Sequence, residues 1–124
     1  MQALIDAAAD PGYPAELVLA VSNVPDAGGL ERAEKAGVAT AVINHKDFED
    51  REAFEAALHE KLKEAKAELV CLAGFMRVLT GNLVRSWRDR LINIHPSLLP
   101  AFKGLHVHER VIEAGVRFSG CTVH

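Results

Sequence analysis

Residues 16–43, ELVLAVSNVPDAGGLERAEKAGVATAVI, decide the fold. Residues 16–22 form a short, nearly continuous apolar run, the pattern of a strand covered on both faces. Residues 23–29 are turn chemistry, and Asp26 is placed to cap a helix over residues 30–36. Gly37 can stop that helix in a left-handed conformation. Residues 38–43 then read as a second strand. Strand, helix and strand at this pitch predict two parallel strands joined by a helical crossover.

The alternation continues along the chain. Residues 50–66 predict a long amphipathic helix, with Phe54, Leu58, Leu62 and Ala65 on one face and Glu and Lys covering the rest. Residues 68–73, ELVCLA, read as a third strand, buried by its composition. Thr80 can cap a short helix containing Leu83, Val84 and Trp87. Residues 91–94 predict a fourth strand, 108–114 another helix and 116–123 a final strand. The expected fold is α/β: a Rossmann-like, mainly parallel sheet with helices on both faces. Ligands of such sheets gather at the carboxyl ends of the strands, which singles out residues 74–79 and 93–100. The chain opens directly in a helical run, MQALIDAAAD, and stops in a strand-like pattern. The expectation is one partial catalytic domain over residues 1–124, truncated at both ends.

Composition narrows the class. A length of 124 residues suits one domain, and 49% apolar with 25% charged residues is ordinary for a globular chain. A net charge of -3 and a pI of about 6.0 point neither to nucleic acid nor to an anionic membrane. Cys71 and Cys121 read as two buried, reduced thiols rather than a disulfide. No apolar run is long enough to span a bilayer, and no basic-then-apolar leader opens the sequence. The expected setting is cytoplasmic.

Two segments carry the chemistry. In Asn93-Ile94-His95-Pro96-Ser97-Leu98-Leu99-Pro100, Asn93 and His95 stand two apart on a strand and share a face. Pro96 turns the chain out of the sheet. An amide beside an imidazole at a strand end suits an oxyanion and a proton transfer. An Asn and a His satisfied within a buried turn is the competing reading. In Ala73-Gly74-Phe75-Met76-Arg77-Val78-Leu79, a Gly after a strand lets main chain approach a ligand, and the apolar side chains can line a slot for a flat heterocycle. A loop that merely closes the core is the alternative there.

Other candidates are weaker. His106, His108, His95 and His124 lack carboxylate or thiolate companions at metal-site spacing, so no metal is expected. His106 and His108 suit an exposed helix start, His124 a pocket wall, and His45 and His59 the surface. No phosphate-binding glycine loop and no nucleophile elbow occurs. Cys71 sits in a run expected to be buried, which argues against a nucleophilic role.

These residues together resemble a known family. Asn93-Ile94-His95-Pro96-Ser97-Leu98-Leu99-Pro100 looks like the formyltransferase signature, and Ala101-Phe102-Lys103-Gly104-Leu105-His106-Val107-His108 continues it. Leu72-Ala73-Gly74-Phe75-Met76-Arg77 is similar to the segment lining the folate pocket. Ser22-Asn23, Gly29-Leu30-Glu31-Arg32-Ala33 and Gly120-Cys121-Thr122-Val123-His124 agree as well. Methionyl-tRNA formyltransferases usually carry Ala after the His, and formyltetrahydrofolate deformylases a second His there and a Phe at the position of Leu98. The sequence is most similar to the glycinamide ribonucleotide transformylases, in order and spacing over essentially its whole length.

The resemblance implies direct transfer of a formyl group from 10-formyltetrahydrofolate to the amine of phosphoribosylglycinamide, in purine synthesis. It implies that Asn93 holds the formyl oxygen and also contacts the cosubstrate, while His95 donates a proton. Met76, Arg77, Val78 and Leu79 match positions that hold the pterin, and Arg51 a further folate contact. It implies small-molecule substrates, no nucleic acid or membrane partner, and a monomer or homodimer. The family also has an initial strand with a Gly-Ser-Asn-rich phosphate loop, and an Asp beyond the position of His124 that tunes the catalytic His. Without these, the expectation is activity in the parent protein and little in this chain alone. A sister formyltransferase, a deformylase and an inactive folate-binding remnant stay open as alternatives.

Overall fold

The computed structural model describes residues 1–124, which form two compact units. Met1–Glu68 with Val78–Ser86 make the first, Leu69–Arg77 with Trp87–His124 the second. The architecture is α/β with parallel strand pairs.

In the first unit, α1 (Gln2–Ala8) precedes β1 (Ala20–Ser22), α2 (Gly28–Lys35) and β2 (Thr40–Val42). β1 and β2 pair in parallel with Ala20 opposite Thr40 and Ser22 opposite Val42. The crossover helix α2 lies against both strands and buries Leu30 and Ala33. Gly37 ends the crossover at φ 74° and donates to the Glu34 carbonyl, as the left-handed stop requires. Asp26 does not cap α2. The helix begins after an extended Ala27, its N-cap accepts no side-chain bond, and Asp26 stays exposed.

Helix α3 (Arg51–Glu64) follows a 3-10 turn at His45–Asp47. Asp50 caps it, its Oδ1 accepting from Ala53 N–H at 2.8 Å. Phe54 and Leu62 are buried on the expected stripe, and Leu58 and Ala65 are half-buried beside them. Glu55 departs from the pattern. It stands three residues before Leu58 and seven before Leu62, so it sits on the edge of the apolar face, and it is 4% exposed. Its carboxylate accepts from Thr80 N–H at 3.0 and 3.2 Å and from the Thr80 hydroxyl. Thr80 in turn accepts from Leu83 N–H at 3.4 Å, at the start of α4 (Gly81–Ser86). A carboxylate is thereby satisfied by the open end of a helix, where donors and dipole favour negative charge. Glu55→Ala is expected to lower stability by about 2 kcal/mol, because it removes a charge-assisted set and leaves part-buried donors without their acceptor. A urea midpoint equal to that of the unmodified chain would sink this account.

The second unit holds β3 (Val70–Leu72), β4 (Leu91–His95), α5 (Val107–Glu113) and β5 (Thr122–Val123). β3 and β4 are parallel, with Leu72 opposite Asn93, and β5 runs antiparallel to β4 on its other side. Trp87 follows α4 instead of lying within it and is buried, with the Arg90 guanidinium 5.0 Å over its ring. Val107 and Val111 are the buried positions of α5.

Two burial expectations are corrected here. Cys71 is exposed, as is Cys121, and both are free thiols. Cys71 shares a sheet face with Ile92, Ile94 and Val123, and all four are exposed, so apolar composition did not report which face is covered. The last strand is only Thr122–Val123. Residues 116–121 are exposed and lie outside the ladder, which Gly115 at φ 64° leads into. No helix is long and apolar enough to cross a membrane.

Candidate active site

Strand β4 alternates half-buried Leu91, Asn93 and His95 with exposed Ile92 and Ile94, so the amide and the imidazole do share one face. The antiparallel partner fixes both. Asn93 N–H donates to the His124 carbonyl at 2.7 Å, and His124 N–H donates back to the Asn93 carbonyl at 2.9 Å. The side chains repeat the pairing, the Asn93 amide nitrogen standing 3.1 Å from His124 Nε2. An amide N–H only donates, so that ring nitrogen accepts. Asn93 keeps its second N–H and its carbonyl oxygen for another partner. His124, expected as a pocket wall, is exposed and acts on the strand neighbour instead.

His95 is held at its other edge. Its Nε2 lies 3.0 Å from the Phe102 carbonyl, which can only accept, so Nε2 carries hydrogen. Nδ1 is therefore the nitrogen left for proton exchange with a ligand. Asn93 is partly satisfied across the ladder and His95 within the turn, and each retains a functional atom.

The turn after β4 is built by hydroxyl groups. Ser97 is fully buried, its Oγ donating to the Ala101 carbonyl at 2.6 Å. Thr122 stands opposite His95 across the ladder. Its hydroxyl donates to the Ser97 carbonyl at 2.7 Å and accepts from Leu99 N–H at 2.9 Å. Gly120 permits close approach, since a Cβ there would meet Leu98 Cδ2 at 2.9 Å. Arg110 of α5 donates to the Lys103 carbonyl at 2.5 Å and places its guanidinium 5.8 Å over the Phe102 ring. Sequence reading missed Ser97, Thr122 and Arg110 as parts of this frame. The available signal was that Ser97 and Thr122 lie inside the two strand-end segments that carry the family resemblance.

The second candidate segment leaves β3 at Gly74, which adopts φ 69°. Met76 and Val78 are exposed at 72% and 76%, an unusual state for two large apolar side chains so close together. Arg77 and Leu79 are half-buried between and after them. Met76 and Arg77 belong to the second unit with Asn93 and His95, while Val78, Leu79 and Arg51 belong to the first. Arg51 is exposed at the first turn of α3. His45 is half-buried, not a free surface residue: its Nδ1 meets the Asn23 amide at 2.9 Å and its ring lies edge-on to Phe54. His59 is half-buried as well, and His106 and His108 are exposed at the start of α5.

Comparison with known proteins adds the family context. The family described as formyl transferase matches residues 1–124. The chain is 52% identical over 124 residues to the trifunctional purine biosynthetic protein adenosine-3 of Bos taurus, covering all of this chain and 12% of that protein. It is 41% identical over 124 residues to the phosphoribosylglycinamide formyltransferase of Escherichia coli (strain K12), covering all of this chain and 58% of the bacterial enzyme. The crystal structure of phosphoribosylglycinamide formyltransferase from Brucella melitensis superposes with a TM-score of 0.95 at 51% identity, covering 100% of this chain and 65% of that one. The chain thus spans less than two thirds of the length of these relatives.

Proposed function

The chain belongs to the formyl transferase family, and from that premise we propose that its protein moves a formyl group from 10-formyltetrahydrofolate to the amine of phosphoribosylglycinamide, a step of purine synthesis. The observation that carries the reading is the pairing of Asn93 and His95 on one face of β4, each with a functional atom to spare. A relative named phosphoribosylglycinamide formyltransferase, 41% identical over the full chain, and a solved structure of that name at 51% support the choice of acceptor.

The cosubstrate supplies an activated formyl group on a nitrogen able to leave. The protein's residues do the rest. Asn93 directs an amide N–H at the formyl oxygen as negative charge develops on it. One proton must travel from the attacking amine to the departing nitrogen, and His95 Nδ1 is the atom that carries it. Met76, Arg77, Val78 and Leu79 receive the pterin. The exposed Met76 side chain, two residues after Gly74, fits a flat, partly apolar ring system that would cover it. Arg51 provides a cation for the cosubstrate's acidic end. Both substrates are small molecules.

The test is an assay of the purified protein with both substrates, following tetrahydrofolate release and formylated product together. Product that requires the phosphoribosylglycinamide amine supports the reading. Formate release without an acceptor would replace it with a deformylase. Transfer to methionyl-tRNA alone would replace it with the sister enzyme, and folate binding without turnover would mark a remnant.

A further inference from the structure

We infer that Thr122 and Ser97 are positioning residues for His95, which fix its tautomer by holding the Phe102 carbonyl against Nε2. The inference rests on the proposed role of His95 only for its functional meaning; the positioning itself is a matter of geometry.

The chain of contacts is short and each link has a direction. His95 offers Nε2–H to a backbone carbonyl seven residues downstream. That carbonyl belongs to Phe102, held at φ 48°, a conformation an L side chain adopts only when its surroundings enforce it. Ser97 supplies one constraint immediately before it, drawing in the Ala101 carbonyl at 2.6 Å from a fully buried position. Thr122 supplies the next, because one hydroxyl both donates to the Ser97 carbonyl and accepts from Leu99 N–H. Thr122 is also the ladder partner of His95. The same residue therefore sets where the imidazole starts and where its acceptor ends. Arg110 closes the far side, bonding the Lys103 carbonyl and covering the Phe102 ring.

A free neutral imidazole exchanges hydrogen between its two nitrogens, so a proton-transfer role needs one nitrogen committed. A carbonyl at 3.0 Å commits Nε2 and leaves Nδ1 as the acceptor or donor facing substrate. Neither hydroxyl touches the ring. They act through the backbone, in the way outer partners fix the tautomer of metal-bound histidines.

The experiment reads the tautomer directly, in the whole chain labelled with ¹⁵N-histidine. Two-bond ¹H–¹⁵N spectra at about pH 8.5, above the ordinary histidine range, distinguish Nε2–H from Nδ1–H rings. The unmodified chain is expected to show His95 as the Nε2–H form alone. Thr122→Val keeps the side-chain outline and removes the hydroxyl, and should move the His95 nitrogen shifts toward the averaged position of two exchanging tautomers. Thr122→Ser should restore the single form. Unchanged His45 and His59 signals show that the rest of the chain stays folded. If Thr122→Val fails to fold, Ser97→Ala decides, with the same averaging expected.

A His95 pattern that is averaged in the unmodified chain, or unaffected by both substitutions, overturns the inference. No turnover enters this readout. A committed Nε2–H tautomer in a protein that transfers no formyl group would remove the proposed function and leave the positioning intact.

Discussion

Turnover should fall by on the order of 10² to 10⁴ when His95 is replaced by alanine, with little change in KM for the folate. The magnitude follows from what the side chain does. Nδ1 is the imidazole nitrogen left for proton exchange, and the neighbouring Asn93 can donate or accept but cannot carry a proton through a reaction. On the proposed mechanism, without His95 the proton released by the amine must leave through water, and the departing nitrogen must find one there. The substitution costs no charge pairing in the fold, and its main structural debt is the Phe102 carbonyl, which loses its imidazole partner at the half-exposed edge of the turn. Steady-state kinetics of protein that turns over in unmodified form, with circular dichroism as the fold check, measure the effect. Near-normal turnover would remove His95 from the mechanism.

Asn93→Ala is expected to cost about 10² to 10³ in kcat, the range for loss of one donor aimed at a developing oxyanion. The amide sits between a cross-strand His124 and a free edge, so its orientation is set before any substrate arrives. That preorganisation is what makes a single neutral donor worth so much, because nothing must reorient as charge appears. Combined with His95→Ala, the loss should be smaller than the product of the two, since both act on one event at one carbon. A binding assay for a folate analogue separates the outcomes. Lost binding with unchanged kcat at saturation would show that Asn93 holds ground-state substrate only and does not meet the oxyanion.

Strand parity made the paired Asn93 and His95 readable in advance, because period-two geometry needs no tertiary information. The crossover with its left-handed Gly37, the Thr80 cap and the Phe54–Leu62 stripe were legible for the same local reason. What failed depended on the other side of the chain. Cys71 looks buried in an apolar run, yet exposure depends on which sheet face another element covers. Glu55 reads as one more surface carboxylate, and only a helix end twenty-five residues on explains its burial. The Phe102 carbonyl was invisible for a deeper reason. A backbone acceptor has no signature of its own, and its direction comes from a left-handed residue and from Thr122, which lies twenty-five positions beyond Ser97.

Left-handed residues other than glycine are the usual first targets when a protein is to be made hardier, and this chain has four, at Lys66, Asp89, Phe102 and His106. Glycine at such a place relieves roughly 1 kcal/mol of backbone strain. At Lys66, just past the last turn of α3, that exchange is a plain improvement, because glycine is the favoured residue beyond a helix end. At Phe102 the same exchange would weaken the site on the proposed mechanism. The ring that Arg110 covers would be gone, and the carbonyl facing His95 would swing freely. An engineer working on this scaffold should therefore spend effort at the helix ends and leave the loop after β4 as tense as it is.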